Sequence, residues 1–285
     1  MITSVETFAL QKKVGDIRTL ELCAEAGLGG IDYSFYWLPD DHPMMGENFL
    51  AYADELKKTM DGLGIVCHQA HAPFDMVFGD VFDESGEHFR GIVRAMEAAK
   101  RMGAERIVVH AVKIPPEHGR INLIDYNVEF YRALVPYCQR FDIKVAVENL
   151  FTTDRKCQCY RSVLGSPEDV CAVLRRVGSP YLVACLDNGH AALTGVEPEL
   201  FIRRMDPGTL AALHIQDNDY RRDAHVLPFG GLLDWNAILS ALKDVNYQGD
   251  VSFEIYGFLS PLPEELLPAA LRYVASVGDY LAKRI

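Results

Sequence analysis

Six short apolar runs each end on a side chain that binds metals or moves protons. They are IVCHQAH at His71, RIVVH at His110, KVAVE at Glu148, LVACLD at Asp187, LAALH at His214 and VSFE at Glu254. Runs that are apolar on both faces and rich in β-branched residues read as buried parallel strands. One polar residue at such an end is unremarkable. Six at the same end describe the mouth of a barrel with a charged, histidine-rich floor. Glu148, Asp187, His214 and Glu254 close four consecutive runs, so their side chains converge on one side of that mouth. Three carboxylates and one imidazole make a hard, anionic donor set. It suits Mn²⁺, Mg²⁺ or Co²⁺ and tolerates Zn²⁺. The expected cofactor is therefore a divalent metal, Mn or Zn first and Mg or Co next.

Other residues extend the set. His190 follows Asp187 by three positions in CLDNGHA and reads as a ligand, a partner of a ligand, a proton donor or a helix cap. Asp223 and His225, in the loop YRRDAHVLPFGGLLDW, put two donors on one face of an extended segment. They are further metal ligands or pins for the loop. Arg221 or Arg222 beside them would hold a substrate hydroxyl, carboxylate or phosphate. His71 and His110 lie opposite the four-residue cluster and would bind more metal, hydrogen-bond a substrate or merely fill the barrel top. Tyr33, Phe35, Tyr36 and Trp37 offer aromatic faces for sugar C–H edges, or a packed lid. Cys157 and Cys159 have the wrong spacing for a zinc knuckle and read as loop thiols.

The elements that must position these residues alternate from end to end. Predicted strands cover 1–10, 31–35, 65–70, 106–111, 144–147, 182–186, 211–215 and 251–255. Predicted helices cover 16–25, 47–60, 87–102, 123–141, 167–177, 198–205, 234–245 and 263–282. Glycines such as Gly64, Gly103 and Gly178 stop several of them, and Ser166-Pro167-Glu168-Asp169 starts another. Eight such units in 285 residues, without a linker or low-complexity tract, predict one (β/α)₈ TIM barrel over 1–285.

Composition narrows the classes. A hydrophobic fraction of 49% supplies a core, and no apolar run is as long as a membrane span. The start, MITSVETFALQKKVGD, lacks the features of a signal peptide. Seven scattered cysteines point to reduced thiols and a cytoplasmic setting. The net charge of −12 argues against nucleic acid, because the basic doublets Lys57-Lys58, Arg175-Arg176, Arg203-Arg204 and Arg221-Arg222 are short and mostly on predicted helices. The expected partner is a small sugar or polyol, without nucleic acid or membrane. Homo-oligomeric assembly stays open.

VAVENL, CLDNGHA, LHIQDND, DAHVLPFGGLLDW and VSFEIY, in this order, resemble the xylose-isomerase-like barrel superfamily along the whole chain. That group contains sugar phosphate isomerases and epimerases and is related to endonuclease IV. The resemblance to its ketose 3-epimerase branch implies one divalent metal on Glu148, Asp187, His214 and Glu254. It also implies proton exchange by the two glutamates from opposite faces of the sugar, through an enediolate. His71, His110, Glu148, Asp187, His190, His214, Asp223, His225 and Glu254 also match the endonuclease IV zinc set, which implies a multi-zinc phosphodiesterase as the alternative. PFGGLLDW agrees with the sugar branch, apart from Phe229 where that branch usually has glycine. A metal-dependent sugar or polyol isomerase or epimerase is the expectation. Its assigned residues are Glu148, Glu254 and His190 for catalysis, and His71, His110, Arg221 and Trp37 for substrate. An inosose-type dehydratase would share the first chemical step, and a barrel that only binds metal or sugar is a third class.

Overall fold

The computed structural model of the chain describes residues 1–74, 83–113, 122–153, 159–161 and 163–285. Eight strands run parallel: β1 (Thr3–Glu6), β2 (Gly30–Ser34), β3 (Val66–His71), β4 (Arg106–Val109), β5 (Lys144–Glu148), β8 (Leu182–Asp187), β9 (Leu210–His214) and β10 (Val251–Phe253). They form one sheet in the order β10-β1-β2-β3-β4-β5-β8-β9. Ile215 closes it by donating to Ser252 O at 2.8 Å and accepting from Glu254 N at 3.0 Å. A short antiparallel hairpin, β6 (Phe151–Thr153) and β7 (Cys159–Arg161), rises after β5. The helices are α1 (Phe8–Ala26), α2 (Phe49–Leu63), α3 (Glu87–Met102), α4 (Leu123–Phe141), α5 (Pro167–Val177), α6 (Asn188–Leu193), α7 (Pro198–Arg204), α8 (Trp235–Asp244), α9 (Tyr256–Leu259) and α10 (Leu267–Ala282). Among the described residues no helix is long and apolar enough to cross a membrane.

Side chains on a strand alternate between faces. One face packs on the helices, with Val5, Ile31, Ala70, Ile107, Val145, Val147, Leu186 and Phe253 in the main core. The other face fills the lumen in two levels. Ser4, Asp32, Gln69, Val108, Ala146, Cys185, Ala212 and Ser252 form the lower level. Two residues further on, Glu6, Ser34, His71, His110, Glu148, Asp187, His214 and Glu254 form a ring at the C-terminal mouth. The lower level is divided. Val108, Ala146, Cys185 and Ala212 make a small apolar cluster with Val183 on the β4–β9 side. Ser4, Asp32, Gln69 and Ser252, all buried, make the β10–β3 side polar.

Three expectations need correction. The first strand does not reach residue 10. It stops at Glu6, because Thr7 O accepts from Leu10 N and Gln11 N and starts α1. That helix bends at Gly15, whose φ of 75° lies outside the helical region, so the predicted helix at 16–25 is only its second segment. The third difference concerns the two thiols. Cys159 opens β7 instead of lying in a loop, whereas Cys157 lies outside the described residues.

The long connection after β9 is organised by Asp217. This buried carboxylate accepts from Asn218 N (2.9 Å), Phe229 N (2.9 Å), Leu233 N (3.2 Å) and Trp235 Nε1 (2.8 Å). Phe229 is held at a φ of 72°, which costs a non-glycine residue free energy that the carboxylate's bonds offset. Asp217→Ala strands these donors and is expected to destabilise the protein by about 2 kcal/mol or more. Denaturant unfolding, with limited proteolysis of 217–235, checks this; an unchanged midpoint and cleavage pattern contradicts it.

Candidate metal centre and active site

The alternation that builds the barrel also builds the site. Glu148, Asp187 and His214 are fully buried and Glu254 nearly so. One ligand atom from each lies within 4.8 Å of the others. A cation about 2.1 Å from each needs only a small contraction of that set. Glu148 Oε2 and Glu254 Oε2 are buried with no well-aligned hydrogen-bond donor, although His110 Nε2 lies 2.8 Å from the former. Buried carboxylate oxygens without aligned donors are costly unless a cation joins them. The donor set therefore fits a divalent metal held by Glu148, Asp187, His214 and Glu254.

The imidazoles are aimed by groups outside the cluster. His71 Nδ1 donates to Ala72 O (2.8 Å), His190 Nδ1 to Asn149 O (3.0 Å) and His225 Nδ1 to Glu254 O (2.9 Å). A carbonyl only accepts, so in each ring Nε2 is left to carry a proton or bind a metal. His214 is reversed. Its Nε2 donates to Asp32 Oδ2 at 3.0 Å, and its Nδ1 lies 3.1 Å from Glu148 Oε1 and 3.4 Å from Glu254 Oε2. Asp32 Oδ2 also accepts from Gln69 Nε2 at 2.6 Å. This is the carboxylate–histidine arrangement that orients ligating imidazoles.

Two smaller clusters flank the centre. His71 Nε2 and His110 Nε2 lie 3.1 Å apart, with Glu148 Oε2 at 3.7 Å and 2.8 Å respectively. On the other side His225 Nε2 is 3.0 Å and His190 Nε2 3.6 Å from the Asp223 carboxylate. Gln216 binds this side together: its Nε2 donates to Asp187 Oδ2 (3.2 Å) and Asp223 Oδ1 (3.0 Å). Gly189 makes room for it, since a Cβ there would sit 2.4 Å from the Gln216 amide carbon. His225 itself has a φ of 43°, strain of the kind stored at functional sites.

Charge follows from burial and neighbours. Burial pulls the His190 imidazole down, but Asp187 and Asp223 more than offset it and push it up to about 10. His225 is raised to about 9 against its burial by Asp223 and Glu254. Burial raises the Asp187 carboxyl to about 7, even with His190 and His225 pulling it down. Glu148 stays low because His214 and His110 outweigh its burial. Burial dominates at His110, which falls to about 4 and is neutral.

The expected site residues are not equally placed. Glu148, Asp187, His190, His214, Asp223, His225 and Glu254 come together, with His71 and His110 beside them. Trp37 is 69% exposed and reaches the cluster through rings: it packs on Phe74 at 5.8 Å, and Phe74 stacks on His110 at 4.4 Å. Arg221 is exposed, and among the described residues no contact joins its side chain to the cluster; Arg222 pairs with Asp219 at 3.0 Å. Sequence reasoning missed Asp32, Gln69, Gln216 and Glu6. Asp32 and Glu6 left a signal, the single charged residue inside an otherwise uncharged predicted strand.

The model of the xylose isomerase-like TIM barrel family matches residues 20–277. The chain belongs to that family. The uncharacterized protein y4fM of Sinorhizobium fredii is 29% identical over 166 residues; the match spans 56% of this chain and only half, 50%, of that protein. A D-psicose 3-epimerase crystallised in the presence of D-fructose shares the fold with a TM-score of 0.75, 16% identity and 99% of each chain covered. An IOLI protein with a bound zinc atom has a TM-score of 0.73 at 18% identity, covering 100% of this chain and 99% of its own. At these identities the two structures are likenesses of fold.

Burial pulls the His214 imidazole pKa down, but Cys185, Glu254, Glu148 and the hydrogen bond to Asp32 raise it, so Asp32→Asn should lower it. The His214 ring resonance in the metal-free protein should then titrate at lower pH in the variant than in the parent, by NMR. An unchanged titration contradicts the assigned contact.

Proposed function

We propose that this protein is a divalent-metal-dependent isomerase or epimerase acting on a sugar or polyol. The observation that carries the reading is the buried convergence of Glu148, Asp187, His214 and Glu254, with two carboxylate oxygens lacking aligned donors. The fold likeness to the D-psicose 3-epimerase and to the zinc-holding IOLI protein supports it. The donor set favours Mn²⁺ or Zn²⁺. Such an ion supplies Lewis acidity, polarising a carbonyl and acidifying the adjacent C–H.

The chain's own residues do the rest. Glu148 on β5 and Glu254 after β10 are separated around the barrel by β8 and β9. A substrate lying between them meets one carboxylate on each face. One takes the proton from carbon and the other returns a proton to the opposite face. His190, kept protonated by Asp187 and Asp223, donates to a substrate oxygen. Neutral His110, with His71, faces substrate hydroxyls, and the Trp37–Phe74 wall covers the sugar's C–H face.

A second reading has its own observation. The groups His71–Glu148–His214 and Asp187–His190–His225 are each compact enough to hold an ion, which suits a multi-zinc phosphodiesterase. Against it, six of the eight cations in the basic doublets are paired with carboxylates. Arg175 pairs with Asp206, Arg176 with Asp125, Arg203 with Asp244, Arg204 with Glu168, Lys57 with Asp61 and Arg222 with Asp219. A DNA-binding face needs free cations to displace counterions.

The test uses protein stripped by chelator and reloaded with Mn²⁺ or Zn²⁺, incubated with a ketose panel in deuterated water. Deuterium should enter next to the carbonyl, stop on stripping, and fall by about 10²-fold or more in Glu148→Gln and Glu254→Gln. Elimination of water after exchange would assign a dehydratase. No exchange with any ketose, together with zinc-dependent nicking of an abasic duplex at low salt, would overturn the reading in favour of the phosphodiesterase.

A further inference from the structure

The mouth ring contains one acid that the proposed chemistry leaves idle. Glu6 ends β1 and is 2% exposed. Its register partner on β2 is Asp32, and Val5 beside it pairs with Phe253, which immediately precedes Glu254. Glu6 therefore stands at the level of the proposed metal ligands, on the Glu254 side. The other buried acids of the cluster each lie beside an imidazole or a side-chain amide, although some of their oxygens also lack an aligned donor: Glu148 and Glu254 beside His214, Asp187 beside Gln216, and Asp32 beside His214 and Gln69. Among the described residues Glu6 accepts only from Phe8 N, through Oε1 at 2.9 Å, and its Oε2 is buried without a partner.

We propose that Glu6 is a substrate-contacting residue whose Oε2 hydrogen-bonds a hydroxyl of an uncharged polyhydroxy substrate, fixing which end of that substrate lies beside Glu254. A buried oxygen with no partner costs stability unless something fills its valence. The neighbours exclude most fillers. Asp32 and Glu254 crowd the same arc, so a phosphate or carboxylate placed against Glu6 would meet like charge on that side of the mouth. A hydroxyl carries no such penalty. Burial, then Glu254 and Asp32, raise the Glu6 carboxyl to about 8, and either protonation state can bond a hydroxyl.

The surroundings suit a sugar's alternation of C–H and O–H. Phe8, whose amide holds Glu6, packs on Tyr36 at 4.9 Å and Trp37 at 5.6 Å between ring centroids. Tyr36 stands edge-on to His71 at 4.9 Å. Apolar ring faces thus lie next to an acceptor, the combination that orients polar ligands in mostly apolar pockets.

This inference rests on the sugar reading, and the experiment separates the two. The Mn²⁺-loaded full chain is titrated with D-fructose and D-tagatose by calorimetry, with elemental analysis of metal content in each variant. Glu6→Leu should keep its metal and bind the parent's better sugar about tenfold or more weakly. Glu6→Gln, which keeps the hydrogen-bonding group, should lose less and raise KM with kcat nearly preserved. If Glu6→Leu does not fold, the KM of Glu6→Gln decides, and an unchanged KM overturns the proposal. Metal retention with parental affinity in Glu6→Leu overturns the Glu6 role alone. Loss of metal in that variant overturns it too, by placing Glu6 in the metal site. A parent that binds neither sugar overturns this proposal together with the sugar reading.

Discussion

Period-two alternation on eight short parallel strands is the constraint on which everything else depends. It sends Val5, Ile31, Val145 and Val147 outward to the helices and the residues beside them inward. A shift of one residue in any strand would exchange those faces. The ring of Glu6, Ser34, His71, His110, Glu148, Asp187, His214 and Glu254 is thus set by the same packing that stabilises the barrel. Function here needs no separate scaffold. It needs only that the last inward position of most strands be ionisable where the barrel opens.

Burying that many ionisable groups creates an electrostatic problem with few solutions. Isolated carboxylates in such a place would take up protons, as the raised Asp187 shows. Imidazoles supply part of the compensation, and the raised His190 and His225 are the other side of the same balance. Of the four clustered donors, Asp187 and His214 hold on to protons, so a divalent ion bound there would displace them and its binding would be coupled to proton release. Asp32 and Gln216 are essential to this balance. The first orients His214 from below, and the second ties Asp187 to Asp223.

The barrel and the strand ends were legible in the sequence because apolar runs closing on His, Asp or Glu repeat along the chain. What was not legible has physical causes. Glu6 was hidden because apolar Phe8, Ala9 and Leu10 follow it and read as more strand, whereas Thr7 starts a helix there. Asp32 was hidden because it lies one level below the mouth, inside its strand. Gln216 follows β9, and only three-dimensional closure brings its amide to Asp187. The hairpin of β6 and β7 and the six-residue α6 are too short to show a period. Arg221, singled out for its charge, sits on the exposed rim, since proximity in sequence to Asp223 does not set its direction.

The proposed centre has Glu148, Asp187, His214 and Glu254 enclosing one divalent ion. Anomalous diffraction from crystals grown with Mn²⁺, collected with Zn²⁺-soaked crystals for comparison, tests it most directly. A strong anomalous peak is expected about 2.1 Å from a donor atom of each of the four residues, present before either flanking cluster fills. Peaks confined to the His71–His110 or Asp223–His225 sides, or no peak among these four residues at saturating metal, would contradict it.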